Sequence, residues 1–280
     1  MILLAGGTGH LGGPLTDRLS TGPEPVRVLS RDPSRTRKRV PQGVELVAGD
    51  VRVRASLDPV LVGVRTVISA VTGFGPGGSG PHEVDLLGNQ NLIAAAMAAG
   101  VEHFILVSIH GASADHPMEL YRAKHASEQR LRESGLAWTV IRPTVFKELW
   151  AGIIGDSLVK GGKATVFGRG ENPINFVSVQ DLARWVEVAV NDRGLRGEII
   201  EVAGPENLTL NEMADAAAVS SGRPPARARH IPLTALRVGQ VLVRPFRPDL
   251  AGLMQAAVLM DTTDMSVDQG AAQRLPAAAG

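Results

Sequence analysis

Seven residues near the start of the chain constrain its fold more than any others. Gly6-Gly7-Thr8-Gly9-His10-Leu11-Gly12 lies between a short apolar run, residues 1–5, and a segment with helical spacing, residues 10–19. It fits G-x-G-x-x-G from Gly7 or G-x-x-G-x-x-G from Gly6. A strand that turns through glycines into a helix brings free backbone amides and a helix N-terminus to one point, which suits a pyrophosphate. A glycine triplet alone says little. Here the strand before it, the helix after it and a second apolar run on schedule at Val26–Ser30 supply the context that such a motif needs.

The same alternation continues. Apolar runs fall at residues 44–48, 64–70, 104–108 and 137–141, and segments with helical periodicity at 84–99 and 121–134. Short apolar runs alternating with helices predict parallel strands joined by right-handed crossovers, so a Rossmann-type, doubly wound α/β sheet. Beyond Pro143 the pattern loosens. Helices are expected over 146–159, 179–190, 210–220, 233–243 and 250–259, short strands at 164–167, 174–177 and 198–203, and a frayed tail from Gly270. The division expected is a dinucleotide-binding domain over 1–145 and a smaller substrate lobe over 146–280, partly interwoven with it.

Composition narrows the chemistry. The 280 residues contain no cysteine, which removes disulfides, thiolate metal sites and cysteine nucleophiles together, and no His/Asp/Glu cluster has metal-ligand spacing. Lys and Arg number 29 against 28 Asp and Glu, without the basic excess of a nucleic-acid binder. No apolar run is long enough to span a bilayer, and the opening residues lack the form of a signal peptide. The expected setting is therefore cytoplasmic, with a small molecule as partner, no nucleic acid and no membrane, and with monomer or dimer left open.

The end of the second strand selects the dinucleotide. A chain that prefers NAD usually places a carboxylate there to bind the adenosine ribose. This one has Ser30 followed by Arg31, with Arg35, Arg37, Lys38 and Arg39 close behind. A guanidinium clamps a 2′-phosphate that a carboxylate would repel, so NADPH/NADP is the expected cofactor, with Ser30 and Arg31 at the phosphate. Arg35 fits either that role or a solvated basic face, and Asp32 fits an N-cap for a helix starting at Pro33. Gly6, Thr8, Gly9, His10, Leu11 and Gly12 complete this part of the expected cofactor site.

Several segments together resemble the short-chain dehydrogenase/reductase superfamily: the glycine loop, Val28-Leu29-Ser30-Arg31-Asp32-Pro33, Gly49-Asp50-Val51, Asn91-Leu92-Ile93-Ala94-Ala95-Ala96 and Ile141-Arg142-Pro143-Thr144. Asn175-Phe176-Val177-Ser178-Val179-Gln180-Asp181 and Gly204-Pro205-Glu206-Asn207 are similar to its atypical, NmrA-like branch, which includes ketoreductases of aromatic polyketides such as angucyclinones. The resemblance implies that Asp50 and Val51 flank the adenine and that Ala70 lies along the cofactor. It also implies that the Pro143-Thr144-Val145 backbone meets the nicotinamide carboxamide, and Ser108, at the end of the fifth strand, joins the same set.

Reductases of this superfamily use a Ser, a Tyr and a Lys, the last two four residues apart on one helix. Hydride transfer leaves an alkoxide, and a Tyr acidified by the Lys supplies the proton. Lys124 stands at the Lys position, but four residues earlier is Leu120. The chain's one tyrosine, Tyr121, is a position off, a rotation of about 100° on a helix. His110 takes the usual Ser position. Three readings stay open: a reductase whose proton comes from His110, water or a substrate hydroxyl; a cofactor sensor that binds NADP(H) and a protein partner without turnover; and a helix shift that brings Tyr121 into place. Lys124 and His110 are the expected catalytic residues. Phe74, in the glycine-rich loop 72–80, is expected to cover a substrate, alongside His110. Phe146 and Trp150 fit either an apolar substrate wall or core packing.

Overall fold

The computed structural model describes residues 1–222 and 228–268, so the tail expected from Gly270 lies outside the described residues. The central sheet is seven-stranded and wholly parallel, in the order β10-β6-β5-β4-β1-β2-β3. Its members are β1 Ile2–Ala5, β2 Val26–Ser30, β3 Glu45–Ala48, β4 Thr66–Ser69, β5 His103–Val107, β6 Ala137–Pro143 and β10 Ile199–Val202. Every residue of β1, β4 and β5 is buried, as expected of strands covered by helices on both faces.

α1 (Gly12–Ser20) buries Gly12, Leu15, Thr16 and Leu19 at helical spacing and packs beside α6 (Val179–Asn191) on one face of the sheet. The single turn α2 (Pro33–Thr36) follows β2. The other face is covered by α3 (Asn89–Ala98) and α4 (Glu119–Arg132) over a core that includes Leu3, Leu92, Ile93, Phe104 and Leu131. The chain leaves β1 toward β2 and later crosses back to β4 on the other side. Ligands in open α/β sheets bind at that reversal, beyond the strands' C-terminal ends.

Residues 84–99 do not form the single helix expected. His82–Gly88 is a π-helical turn, and α3 begins at Asn89. The carbonyl of Asp85 accepts from Asn89 Nδ2 at 2.7 Å and from Ser127 Oγ at 2.6 Å. Side chains inserted at a helix carbonyl disturb the regular ladder in this way.

A third core joins α5 (Lys147–Gly161), α7 (Leu210–Ser220), α8 (Leu233–Val243) and α9 (Pro248–Thr262) around Trp150, Ile154, Val166 and Met260. The short strands β7 (Val145–Phe146), β9 (Ile174–Val177) and β11 (Asn207–Leu208) form one small sheet, and β8 (Thr165–Phe167) and β12 (Arg229–Ile231) another. α6 and β10 come from the later half of the chain yet lie in the main layers, and Ser178 caps α6 by accepting from Asp181 N at 3.0 Å.

Candidate cofactor and substrate site

The glycines of the first loop have separable jobs. Gly6 has φ +90°, and a Cβ on it would sit 2.5 Å from Ala70 O. A Cβ on Gly12 would lie 1.9 Å from Gly6 O, so only glycine lets α1 start this close to the loop. Gly9 differs, because a Cβ there would meet nothing nearer than Gly6 O at 3.5 Å. Its open side faces the cleft. Leu11, at the N-cap of α1, offers no side-chain bond to the first-turn amides. Free amides beside an open glycine fit a pyrophosphate.

From this loop a cavity of about 730 Å³ runs past the ends of β2 and β3. Ser30, Arg31, Arg35, Asp50, Val51 and Ala70 all line it, and so do Arg39 and Arg52. Ser30 Oγ is 2.7 Å from Thr36 Oγ1 and accepts from Asp32 N, which fixes the corner after β2. Asp32 caps α2. Hydrogen bonds from the Ser34 hydroxyl and the Arg35 amide hold its carboxyl below the usual range. Arg37 donates to Val44 O and Pro41 O and is occupied inside the protein. Asp50 pairs with Arg52 at 2.6 Å, and that hydrogen bond lowers the carboxyl's pKa.

A second cavity, about 400 Å³, opens from the first along Gly9, Ala70, Val71 and Thr72, with His10, Leu11 and Gly12 on its near rim. Pro143, Thr144 and Val145 form one wall, and Phe74, Phe146 and Trp150 make it apolar. Trp150 is both wall and core: it is 3% exposed and stands edge-on to Phe167.

Tyr121 also lines this cavity, which the one-residue offset did not suggest. It shares a helix face with Lys124, three positions on. Its ring stacks on His116 with centroids 3.7 Å apart, and its hydroxyl has no hydrogen bond among the described residues. Burial pushes its pKa up to about 12, so it stays a neutral donor.

Lys124 reaches the cavity, but its ammonium is engaged. It donates to Val71 O at 3.0 Å and Val107 O at 2.9 Å and pairs with Asp85 Oδ1 at 3.0 Å. Asp85 Oδ2 accepts from Gly73 N at 2.7 Å. The arrangement locks three chain segments together and leaves the lysine little capacity for a ligand. Ser108 Oγ donates to the buried Glu128, which Arg142 grips with two nitrogens, at 3.0 and 2.6 Å. The Ser108 hydroxyl therefore presents lone pairs, not its proton, to the cavity.

His110 follows the end of β5, beyond Ser108. Its backbone amide bonds Pro143 O, the chain turns at Gly111, and the ring points to Glu201 on β10, Nδ1 lying 2.7 Å from Oε2. About half exposed, it lines neither cavity. The ring thus stands at Glu201 and not on a cavity wall, as the last residues of a strand can turn to either side of the sheet's edge.

The loop 72–80 forms a strap over the junction of the two cavities, and it is tied rather than loose. Gly80 N bonds Gly73 O, Arg52 Nη1 donates to Ser79 Oγ at 3.2 Å, and Gly77 N donates to Asp249 Oδ2 on α9 at 3.0 Å. Phe74 lies beneath it, against Gly252 of α9.

A glycine-cornered cleft at the reversal of a parallel sheet defines a dinucleotide-binding protein of the Rossmann class. The chain belongs to the NAD(P)H-binding family, whose model matches residues 6–193. It is 30% identical over 252 residues to the NAD(P)H azoreductase of Xenophilus azovorans, covering 89% of this chain and 82% of that one. It is 33% identical over 229 residues to the (4-alkanoyl-5-oxo-2,5-dihydrofuran-3-yl)methyl phosphate reductase of Streptomyces griseus, covering 80% and 75%. Among solved structures, the NADPH complex of quinone oxidoreductase QOR2 from Escherichia coli superposes with a TM-score of 0.77 at 22% identity, covering 96% of this chain and 92% of that one. The NADP(H) complex of Citrobacter triphenylmethane reductase gives 0.74 at 20%, covering 95% and 92%. At such identities these structures speak to the fold.

Proposed function

We propose that the chain is an NADPH-dependent reductase that delivers hydride to a conjugated acceptor, a ketone or quinone of aromatic character. The observation that carries this reading is an apolar cavity, walled by Phe74, Phe146 and Trp150, opening end-on from the glycine-loop cleft. The names of the relatives, reductases of azo and furanone compounds, agree with it. NADPH supplies the hydride when bound. Arg31 and Arg35, which line the first cavity beyond the end of β2, support the phosphorylated cofactor, because a guanidinium can clamp a 2′-phosphate.

On the protein's side, Tyr121 holds the acceptor's heteroatom by a hydrogen bond from its neutral hydroxyl. A pKa of about 12 makes it a poor proton source near neutrality. The proton then comes from a hydroxyl of the substrate or from water. His110, the other source considered, lies away from the cavity.

The test follows NADPH oxidation with a panel of quinones and aromatic ketones that do or do not carry a hydroxyl beside the carbonyl. Faster turnover of the hydroxylated members is expected. Equal rates on both sets remove the substrate hydroxyl from the mechanism. Tight NADPH binding with no turnover on any member overturns the reductase reading in favour of a cofactor-sensing protein.

A further inference from the structure

We infer that the outer face of α8 and the turn after it form a docking surface for an anionic lipid bilayer. α8 packs along α9 through the side that carries Leu236 and Gly239, where a Cβ on Gly239 would lie 3.1 Å from Met254 Sδ. A surface helix normally turns polar residues outward. This one turns out Val238, Val241 and Leu242, which are 57%, 67% and 66% exposed. The chain then runs Arg244-Pro245-Phe246-Arg247-Pro248, a tight turn closed by bonds from Phe246 N and Arg247 N to Val243 O. Phe246 in this turn is 83% exposed, with Arg244 two residues before it and Arg247 directly after.

The charges choose the occupant. Residues 228–248 contain Arg229, Arg237, Arg244 and Arg247 and no Asp or Glu. Arg247 is paired with Asp249, whereas Arg237 and Arg244 have no partner among the described residues. A two-fold contact with a second copy sets this face against itself and brings the unpaired Arg237 and Arg244 toward their own counterparts, Asp249 being already engaged by Arg247. The exposed side chains are aliphatic and aromatic with unpaired guanidinium groups among them, a mixture that suits a bilayer surface. Lipid headgroups and acyl chains accept both the guanidinium groups and the aliphatic side chains.

No helix among the described residues is long and apolar enough to cross a membrane. The expectation of no membrane partner rested on that kind of evidence, which does not bear on a helix lying at the surface. The inference stands apart from the reductase reading, since it needs neither cofactor nor substrate.

The experiment is flotation of the full chain with vesicles of phosphatidylcholine alone or mixed with phosphatidylglycerol, at low and high salt. Wild type is expected to float with the anionic vesicles only, and less at high salt. The pair Arg237→Glu and Arg244→Glu is expected to weaken binding by about tenfold or more, and the pair Val241→Glu and Phe246→Glu to abolish it. NADPH affinity and circular dichroism are expected to stay as in wild type. Wild type left unbound by anionic vesicles overturns the proposal, as does charge reversal without effect. A wild-type dimer in sedimentation velocity that Val241→Glu with Phe246→Glu renders monomeric overturns it too, assigning the face to a second copy.

Discussion

Lys124 Nζ lies 3.0 Å from Asp85 Oδ1, with the two side chains only 5% and 0% exposed. The lysine expected to act in catalysis is, in this chain, one half of a buried ion pair. Removing one partner of such a pair leaves an uncompensated buried charge, at about 3–5 kcal/mol. Lys124→Met is therefore expected to lower unfolding stability by that order, read from urea titration. Asp85→Asn, which strands the ammonium instead, is expected to cost a similar amount. A Lys124→Met protein of undiminished stability that has lost only kcat would return the lysine to the chemistry.

The glycine loop gives a pair of substitutions with opposite signatures. Gly12→Ala forces a methyl to 1.9 Å from Gly6 O and is expected to destabilise the apo fold by several kcal/mol. Gly9→Ala has room in the protein, so its apo melting temperature should stay near wild type. Its affinity for NADPH should fall at least tenfold, because the methyl points where the pyrophosphate approaches. Melting curves with and without cofactor separate the two.

Arg31→Ala and Arg35→Ala test the phosphate clamp. Charge-assisted hydrogen bonds contribute about 1.5–3 kcal/mol. Each variant is thus expected to raise KM for NADPH tenfold or more while leaving KM for NADH nearly unchanged. Parallel steady-state kinetics with both cofactors decide it.

Two buried titrating groups shape the stability profile. Burial lowers the pKa of His103 from 6.5 to about 4, its Nε2 lying 2.9 Å from Thr139 Oγ1. Between those values the unfolded chain binds the extra proton, so stability is full above pH 6.5 and falls as pH drops toward 4. Tyr121 does the reverse at the alkaline end. Its pKa rises from 10 to about 12, so stability falls as pH climbs through that interval. Each slope is at most about 1.4 kcal/mol per pH unit. Tyr121→Phe should flatten the alkaline limb, and urea titrations across pH report it.

The sheet is legible because β1, β4 and β5 are buried over their whole length, so each is a short run dominated by apolar residues and bounded by turn residues. The seats of Gly6, Gly9 and Gly12 followed from the strand–turn–helix order alone. What escaped depends on where side chains turn. The π-helical turn exists because Asn89 and Ser127 reach the Asp85 carbonyl, and hydrophobic periodicity does not register polar contacts. The side on which the His110 ring lies is not legible, because a position at a strand end fixes the backbone and leaves the ring free to choose Glu201. The one-residue offset of Tyr121 does not remove it from the cavity, which meets both Leu120 and Tyr121 on α4. Arg39 and Arg52 joined the cleft through reach, a property of long side chains that no short motif encodes.

The strap over the cleft has a further consequence. Gly77 and Asp249 are bonded to each other across 172 positions of sequence, and the same strap is fastened to Asp85 and Arg52 in the first half of the chain. Lifting it means loosening α9 as well as the β4 end of the sheet. The mouth of the cleft and the wall of the acceptor cavity thus form one cooperative unit, and hydrogen exchange should find the amides of Gly73 and Gly77 opening together, not as a fraying loop.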